Sequence, residues 1–222
     1  MIDPMERVLD WRPNPDPRSL NFLVSAMDCY STGRERLSIV RRKTVHLDQG
    51  REGACTGFGE EHTRALSPYG QATSNAMAQR IYHAARRLDE WPGEDYEGSS
   101  VNGAMKAARE AGYITAWRWC RTTAELRHAL SYHGAVEAGT WWYAGMVDTD
   151  EDGFIHPTGG PFGGHAYALA GYKPIKGKRA YRIENSWGPD WGDNGGAWIW
   201  EDDLARLMKD DGEFAVPLKV RL

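Results

Sequence analysis

The chain has 222 residues, 41% of them hydrophobic and ten of them tryptophan, which is enough to bury a full core in one globular domain and excludes a disordered chain. Lys and Arg number 27 against 31 Asp and Glu, a formal net charge of −4, so no basic excess points to nucleic acid or an anionic membrane surface. The three cysteines, Cys29, Cys55 and Cys120, form an odd count without C-x-x-C spacing, and no run approaches the roughly 18 apolar residues of a membrane span; both fit a leaderless protein of a reducing, cytoplasmic setting.

In chain order, "RPNPDPRSLNF" carries three prolines within six residues and reads as an extended approach segment. The stretch after Cys55, "TGFGEEHTRAL", is a weak helix, because Gly57 and Gly59 each cost up to about 1 kcal/mol against Ala in a helix interior. In "SNAMAQRIYHAARRLDEW" the residues Met77, Ile81, Tyr82, Ala85 and Leu88 share one helical face. Ser99 or Ser100 can cap a helix ending near Gly112, and Thr122 or Thr123 one ending near Gly134. The texture then changes. "AVEAGTWWYAGMV", "HAYALAGY", "RAYRIENSW" and "GGAWIWE" are short, apolar or aromatic and bounded by glycine or charge, as strands are. Helices over about 55–134 followed by strands over 135–222 imply an α+β architecture, with residues 1–50 leading into a crevice between two lobes of a single domain.

Cys55 stands in a glycine cluster six residues after Gln49, His165 follows "GGPFGG" and opens a strand, and Asn185 ends another beside Trp187. With "DQGREGAC", "GGHAYALAGY" and above all "NSWGPDWGDNGG" in that order, the chain resembles the papain-like cysteine peptidases, in a compact form of bacterial or bacteriophage type. "LDWR" and "EGSSVNGAMKAAREAG" extend the likeness more faintly. The resemblance implies the papain-like two-lobed fold, a helical lobe against a β-barrel-like lobe with the site in the cleft. It assigns Cys55 as nucleophile, His165 as general base and acid, Asn185 as the acceptor that orients the imidazole, and Gln49 as oxyanion donor. Trp187 would shield the His165–Asn185 bond from water, and Gly53 and Gly164 would line the binding cleft. A thiol at a helix N-terminus beside an imidazolium is shifted down toward roughly 3.5 to 7.5, so a resting thiolate–imidazolium pair is expected.

The chain also departs from the pattern. Glu52 stands where the family has a disulfide cysteine, and Thr56 where it has an aromatic residue. His165 follows Cys55 by 110 residues, against a usual distance of about 130 to 150. No "GCxGG" stretch is present, and "DEWPGEDYEG" takes its place. Only 54 residues precede Cys55, too few for the usual long-helix propeptide, which implies constitutive activity, a separate inhibitor or regulator, or a propeptide elsewhere. "DTDEDGFI" matches the first positions of a calcium loop but has Gly159 at position 12, and is read as a solvated acidic turn.

The expectation is therefore a monomeric cysteine endopeptidase acting on peptide or protein substrates through a thioester, with no cofactor, metal, nucleic acid or membrane partner. A cell-wall peptide amidase or acyl transferase with the same triad, and a catalytically silent scaffold on the same fold, are the alternatives.

Overall fold

The glycines that weaken the helix after Cys55 are what let it pack. In the computed structural model, which describes residues 2–14, 16–27, 30, 35–66, 68–93 and 95–218, Cys55 opens α1 (Cys55–Ala65), whose residues are all buried. A Cβ on Gly57 would run into the Ala78 carbonyl and the Tyr82 backbone of α2 (Asn75–Leu88), and one on Gly59 would press on Glu137 and Tyr167. Tertiary packing thus decides a helix that propensity alone does not. α2 buries Ala78, Ile81, Tyr82 and Ala85 and is capped by Ser74; Met77 and Leu88 lie half-buried at its two ends. Ser100, not Ser99, caps α3 (Val101–Glu110), and Gly112 takes the left-handed conformation just beyond it.

The described strands form one antiparallel sheet. β1 (Ile39–Val40) pairs with β4 (Pro161–Ile175), and the main path runs β2 (Ala116–Trp119), β7 (Glu213–Leu218), β3 (Val136–Tyr143), β4, β5 (Lys178–Glu184), β6 (Gly196–Trp200). Among the described residues, β2 and β6 are the unjoined ends of that path. Two further helices accompany it, α4 (Thr123–Tyr132), closed by a Thr122–Glu125 capping box, and α5 (Glu201–Lys209). β2 and α4 lie before residue 134, yet β2 pairs in the sheet and Leu126, Ala129 and Leu130 of α4 share a core with it. The sheet therefore draws residues from the stretch expected to be helical. β2, α5 and β7 carried no clear sequence signal, since β2 and β7 are short and α5 follows β6 without a break.

β4 is buried on both faces and alternates in size. Ala166 shares a core cluster with Cys55, and Ala168 and Ala170 cluster with Leu66 at the end of α1; Tyr167 and Leu169 join the opposite core with Trp142 and Phe214. Small residues on one side admit the helix, and large ones on the other fill the second core. Consecutive residues of one strand thereby place His165 in the sheet's aromatic core and Ala166 beside Cys55.

Candidate active site

The two most specific motifs of the sequence are paired strand-like segments. Gln49 N–H donates to the Ser186 carbonyl (2.9 Å), Gly188 N–H to the Leu47 carbonyl (3.2 Å), and Asp48 bridges Trp187 antiparallel. The Ser186 hydroxyl donates to Gln49 Oε1 at 2.7 Å, which turns the Gln49 amide nitrogen the other way. "DQG" and "NSWG" thus position one another, and Ser186 is a positioning residue that the sequence reading did not single out.

His165 is fully buried, and its Nε2–H donates to Asn185 Oδ1 at 2.8 Å, so Asn185 stands as the orienting acceptor. This fixes the tautomer and leaves Nδ1 as the basic nitrogen, which has no hydrogen-bond partner. Trp187 lies 5.2 Å from the imidazole, ring centre to ring centre, and Trp142 meets it edge-on at 4.8 Å. Trp142 was not anticipated; its sign was its place as one of two adjacent tryptophans near the end of a strand. Water is kept from the His165–Asn185 bond on both sides, which strengthens it.

Cys55 sits at the first position of α1, and the backbone N–H groups of Ala166 and Asp10 lie against its sulfur. The second of these is unexpected. Residues 7–12 run through the cleft as an added strand: Trp11 N–H donates to the Gly164 carbonyl (2.8 Å), Ser99 N–H to the Asp10 carbonyl (3.3 Å) and Arg12 N–H to the Ser99 carbonyl (3.0 Å). A Cβ on Gly53 would strike the Asp10 side chain and one on Gly164 the Trp11 carbonyl, so both glycines, expected to line the cleft, pack closely against this segment. Gln49 Nε2, the expected oxyanion donor, donates to the Val8 carbonyl (3.2 Å) and the Glu52 carbonyl (3.0 Å).

Trp11 anchors the strand. It is 2% exposed, fills the space a Cβ on Gly139 of β3 would need, and donates its indole N–H to Glu213 Oε2 at 2.9 Å. Burying a tryptophan removes roughly 200 Å² from water, worth about 5 kcal/mol before the entropy of ordering the segment is subtracted. Arg7 adds a second anchor, donating to Asp48 Oδ1 (2.5 Å), the Gly50 carbonyl (2.9 Å) and the Trp187 carbonyl (3.2 Å). Arg12 lies over the Tyr96 ring at 4.6 Å and the Trp91 ring at 5.8 Å, so these two residues border the strand. The loop that lacks the disulfide is held instead by Arg7 and by Gln79 and His83 of α2, which reach Glu52.

Covered in this way, both groups are shifted toward their neutral forms. Burial pushes the Cys55 thiol up to about 12, against the lowering by the two backbone N–H groups. Burial pushes the His165 imidazole down to about 4; the Asn185 bond opposes this and the nearby Arg7 cation adds to it. The expected resting ion pair is therefore corrected for this conformation, because residues 7–12 keep out the water that would solvate both charges. Cys29 lies outside the described residues, and Cys120 is a buried free thiol in the sheet core. The acidic turn is tied within itself: Asp150 Oδ1 accepts from the Asp152 and Phe154 N–H groups, and His156 reaches Asp150 Oδ2. Among the described residues no helix is long and apolar enough to cross a membrane.

The model of the papain family cysteine proteases matches residues 29–207. The chain belongs to this family. A cathepsin B-like cysteine proteinase of Caenorhabditis elegans is 23% identical over 156 residues, 65% of this chain and 44% of that protein. One of Ostertagia ostertagi is 30% identical over 95 residues, 42% of this chain and 55% of that protein. The chain thus spans about half the length of the curated relatives it matches. Xylellain, a cysteine protease from Xylella fastidiosa, shares the fold with a TM-score of 0.71 at 18% identity, covering 97% of both chains. Procathepsin B of Trypanosoma congolense shares it with the same TM-score at 13% identity, covering 97% of this chain and 88% of its own. The papain-like α+β fold expected from the motifs is the fold of this chain.

Proposed function

We propose that this papain-family chain is a cysteine endopeptidase that hydrolyses peptide bonds through Cys55, His165 and Asn185 once residues 7–12 have left the cleft. The observation that carries the reading is the His165 Nε2–Asn185 Oδ1 bond, made in an aromatic enclosure by the strand neighbour of Ala166, whose N–H lies against the Cys55 sulfur. It leaves Nδ1 without a partner, the Cys55 sulfur included, so the base is free to take the thiol proton once the cleft opens and the two groups meet. The sulfur then attacks the peptide carbon, the carbonyl oxygen takes up charge against the Gln49 amide, and His165 returns the proton to the departing amine. Water, deprotonated by His165, cleaves the resulting thioester and restores the thiol. Removing residues 7–12 rehydrates the pair and takes the Arg7 cation away, and both changes favour the ion pair.

A peptide substrate needs the space that Asp10 and Trp11 occupy, so this conformation is closed to it. A reducing, cytoplasmic setting belongs to the same proposal and is supported by the odd cysteine count. The test is turnover of casein and of a peptide library by the full chain and by Trp11→Ala, with Cys55→Ala as control. Turnover by Trp11→Ala that vanishes with Cys55 supports the peptidase. Release of amino groups from peptidoglycan with casein intact would favour the amidase, and inertness of every variant the silent scaffold.

A further inference from the structure

Beside the cleft, a cavity of about 400 Å³ lies between Asn14 and residues 16–22, which follow the cleft strand in sequence, and the face made by α3 and β2. Its charge is lopsided. Of the basic residues on its wall, Arg18 is paired with Asp16 and Lys106 with Glu90. Arg109, Arg118 and Arg121 have no carboxylate partner among the described residues. Arg109 rests on the Trp117 ring at 5.2 Å and Arg118 on the Phe22 ring at 5.8 Å. Among the described residues Arg121 donates to the Ser19 hydroxyl (2.8 Å) and acts on Glu213 through its charge without an ion-pair contact, while its Nε is buried without a partner. Glu213, the wall's other acid, is turned to the Trp11 indole and the Val101 N–H.

Three guanidinium groups around one cavity repel each other and offer planar, forked donors that match phosphate oxygens. Trp117, Trp119 and Phe22 give the same wall an apolar part. The volume is that of a small-molecule site and too small for a folded partner. We propose that this cavity binds a small organic phosphate, its phosphoryl oxygens on Arg109, Arg118 and Arg121 and its organic part against the aromatic wall. Because Ser19 and Phe22 belong to one side of the cavity and the arginines to the other, the ligand ties residues 16–22 to the body. Resting on the reading that residues 7–12 must leave before substrate enters, it holds the cleft closed.

The test is calorimetric titration of the full chain with phenyl phosphate, inorganic phosphate and pyrophosphate, salt-matched with chloride. Cys55 alkylation is then followed with and without each probe. Saturable binding is expected, weakened about tenfold or more in Arg109→Ala and Arg118→Ala, each checked by its melting curve. Tighter binding of phenyl phosphate than of inorganic phosphate supports an organic ligand; the reverse order overturns that part and assigns the site to free phosphate. At a hundredfold excess over Kd, a ligand specific for the closed form should slow Cys55 alkylation up to about a hundredfold and raise Tm by about 5 to 10 °C. Absence of saturable binding, or equal binding by both variants, overturns the site; binding that leaves alkylation unchanged overturns the coupling. None of these readouts needs proteolysis, so an inactive enzyme with intact binding would count against the peptidase reading alone.

Discussion

His165 and Cys55 are held by opposite kinds of structure. The imidazole is part of the sheet's core, enclosed on its sides by Trp142, Trp187 and Tyr167 and bonded to Asn185. The thiol is covered by a strand that comes from a distant part of the chain and is anchored chiefly by Trp11 and Arg7. Half of the constellation is thus fixed by packing that also stabilises the fold, and half is covered by something removable. Stability and availability of the site can then be altered separately.

The largest effect should come from the fixed half. His165→Ala in an opened background is expected to lower peptide turnover by about 10⁴-fold or more, with little change in melting temperature for Cys55→Ala at the same site; comparable turnover by the alanine variant would break the assignment. Next, Gln49→Ala should lower kcat by about 10² to 10³ if the amide stabilises the oxyanion, while KM moves little. Trp11→Ala and Trp142→Ala compare the halves directly. Both delete a buried indole, but Trp142→Ala should cost about 3 to 5 kcal/mol in urea unfolding, whereas Trp11→Ala should mainly raise hydrogen exchange in residues 7–12 and leave the sheet protected.

The smallest effect is one of pH. Burial pushes the Glu213 carboxyl up to about 8, outweighing the lowering by the Trp11 indole and the Val101 N–H. A carboxyl raised in the closed form supports that form fully below its ordinary value of 4.5 and loses this support as pH rises through about 8. Residues 7–12 should therefore exchange faster, after correction for intrinsic rates, between pH 5 and 8. Glu213→Gln, which keeps an acceptor for Trp11, should flatten the slope; an unchanged slope would show that Glu213 is not its source.

Much of the candidate site was legible because the proposed chemistry needs particular residue types at particular offsets. Cys55, His165 and Asn185 could be named from "GAC", "GGH" and "NSWG", and the structure adds why the motifs occur together, since the backbone pairing of 47–49 with 186–188 makes each the template of the other. The helix at 75–88 was equally readable, and the caps were readable to within one residue, Ser99 or Ser100 and Thr122 or Thr123, being local. What escaped was long-range. β2 and β7 are strands only because they pair with each other and with β3, and Arg7, Asp10 and Trp11 reach the cleft through contacts with residues about 40 to 200 positions away. "LDWR" looked like a faint family likeness and is the strand that closes the site. The resting pKa values followed from that strand, so they were not readable without it.

The most direct measurement is peptide mapping after brief, limiting iodoacetamide at about pH 6, where an unperturbed thiol is well under about 1% thiolate. Wild type, Trp11→Ala and Trp11→Ala/His165→Ala are compared, with Cys120 as the buried control. The expected result is slow labelling of Cys55 in wild type, close to that of Cys120, selective rapid labelling in Trp11→Ala, and its loss when His165 is also removed. Rapid labelling of Cys55 in wild type would contradict the covering strand, and an inert Cys55 in Trp11→Ala would contradict a competent pair beneath it.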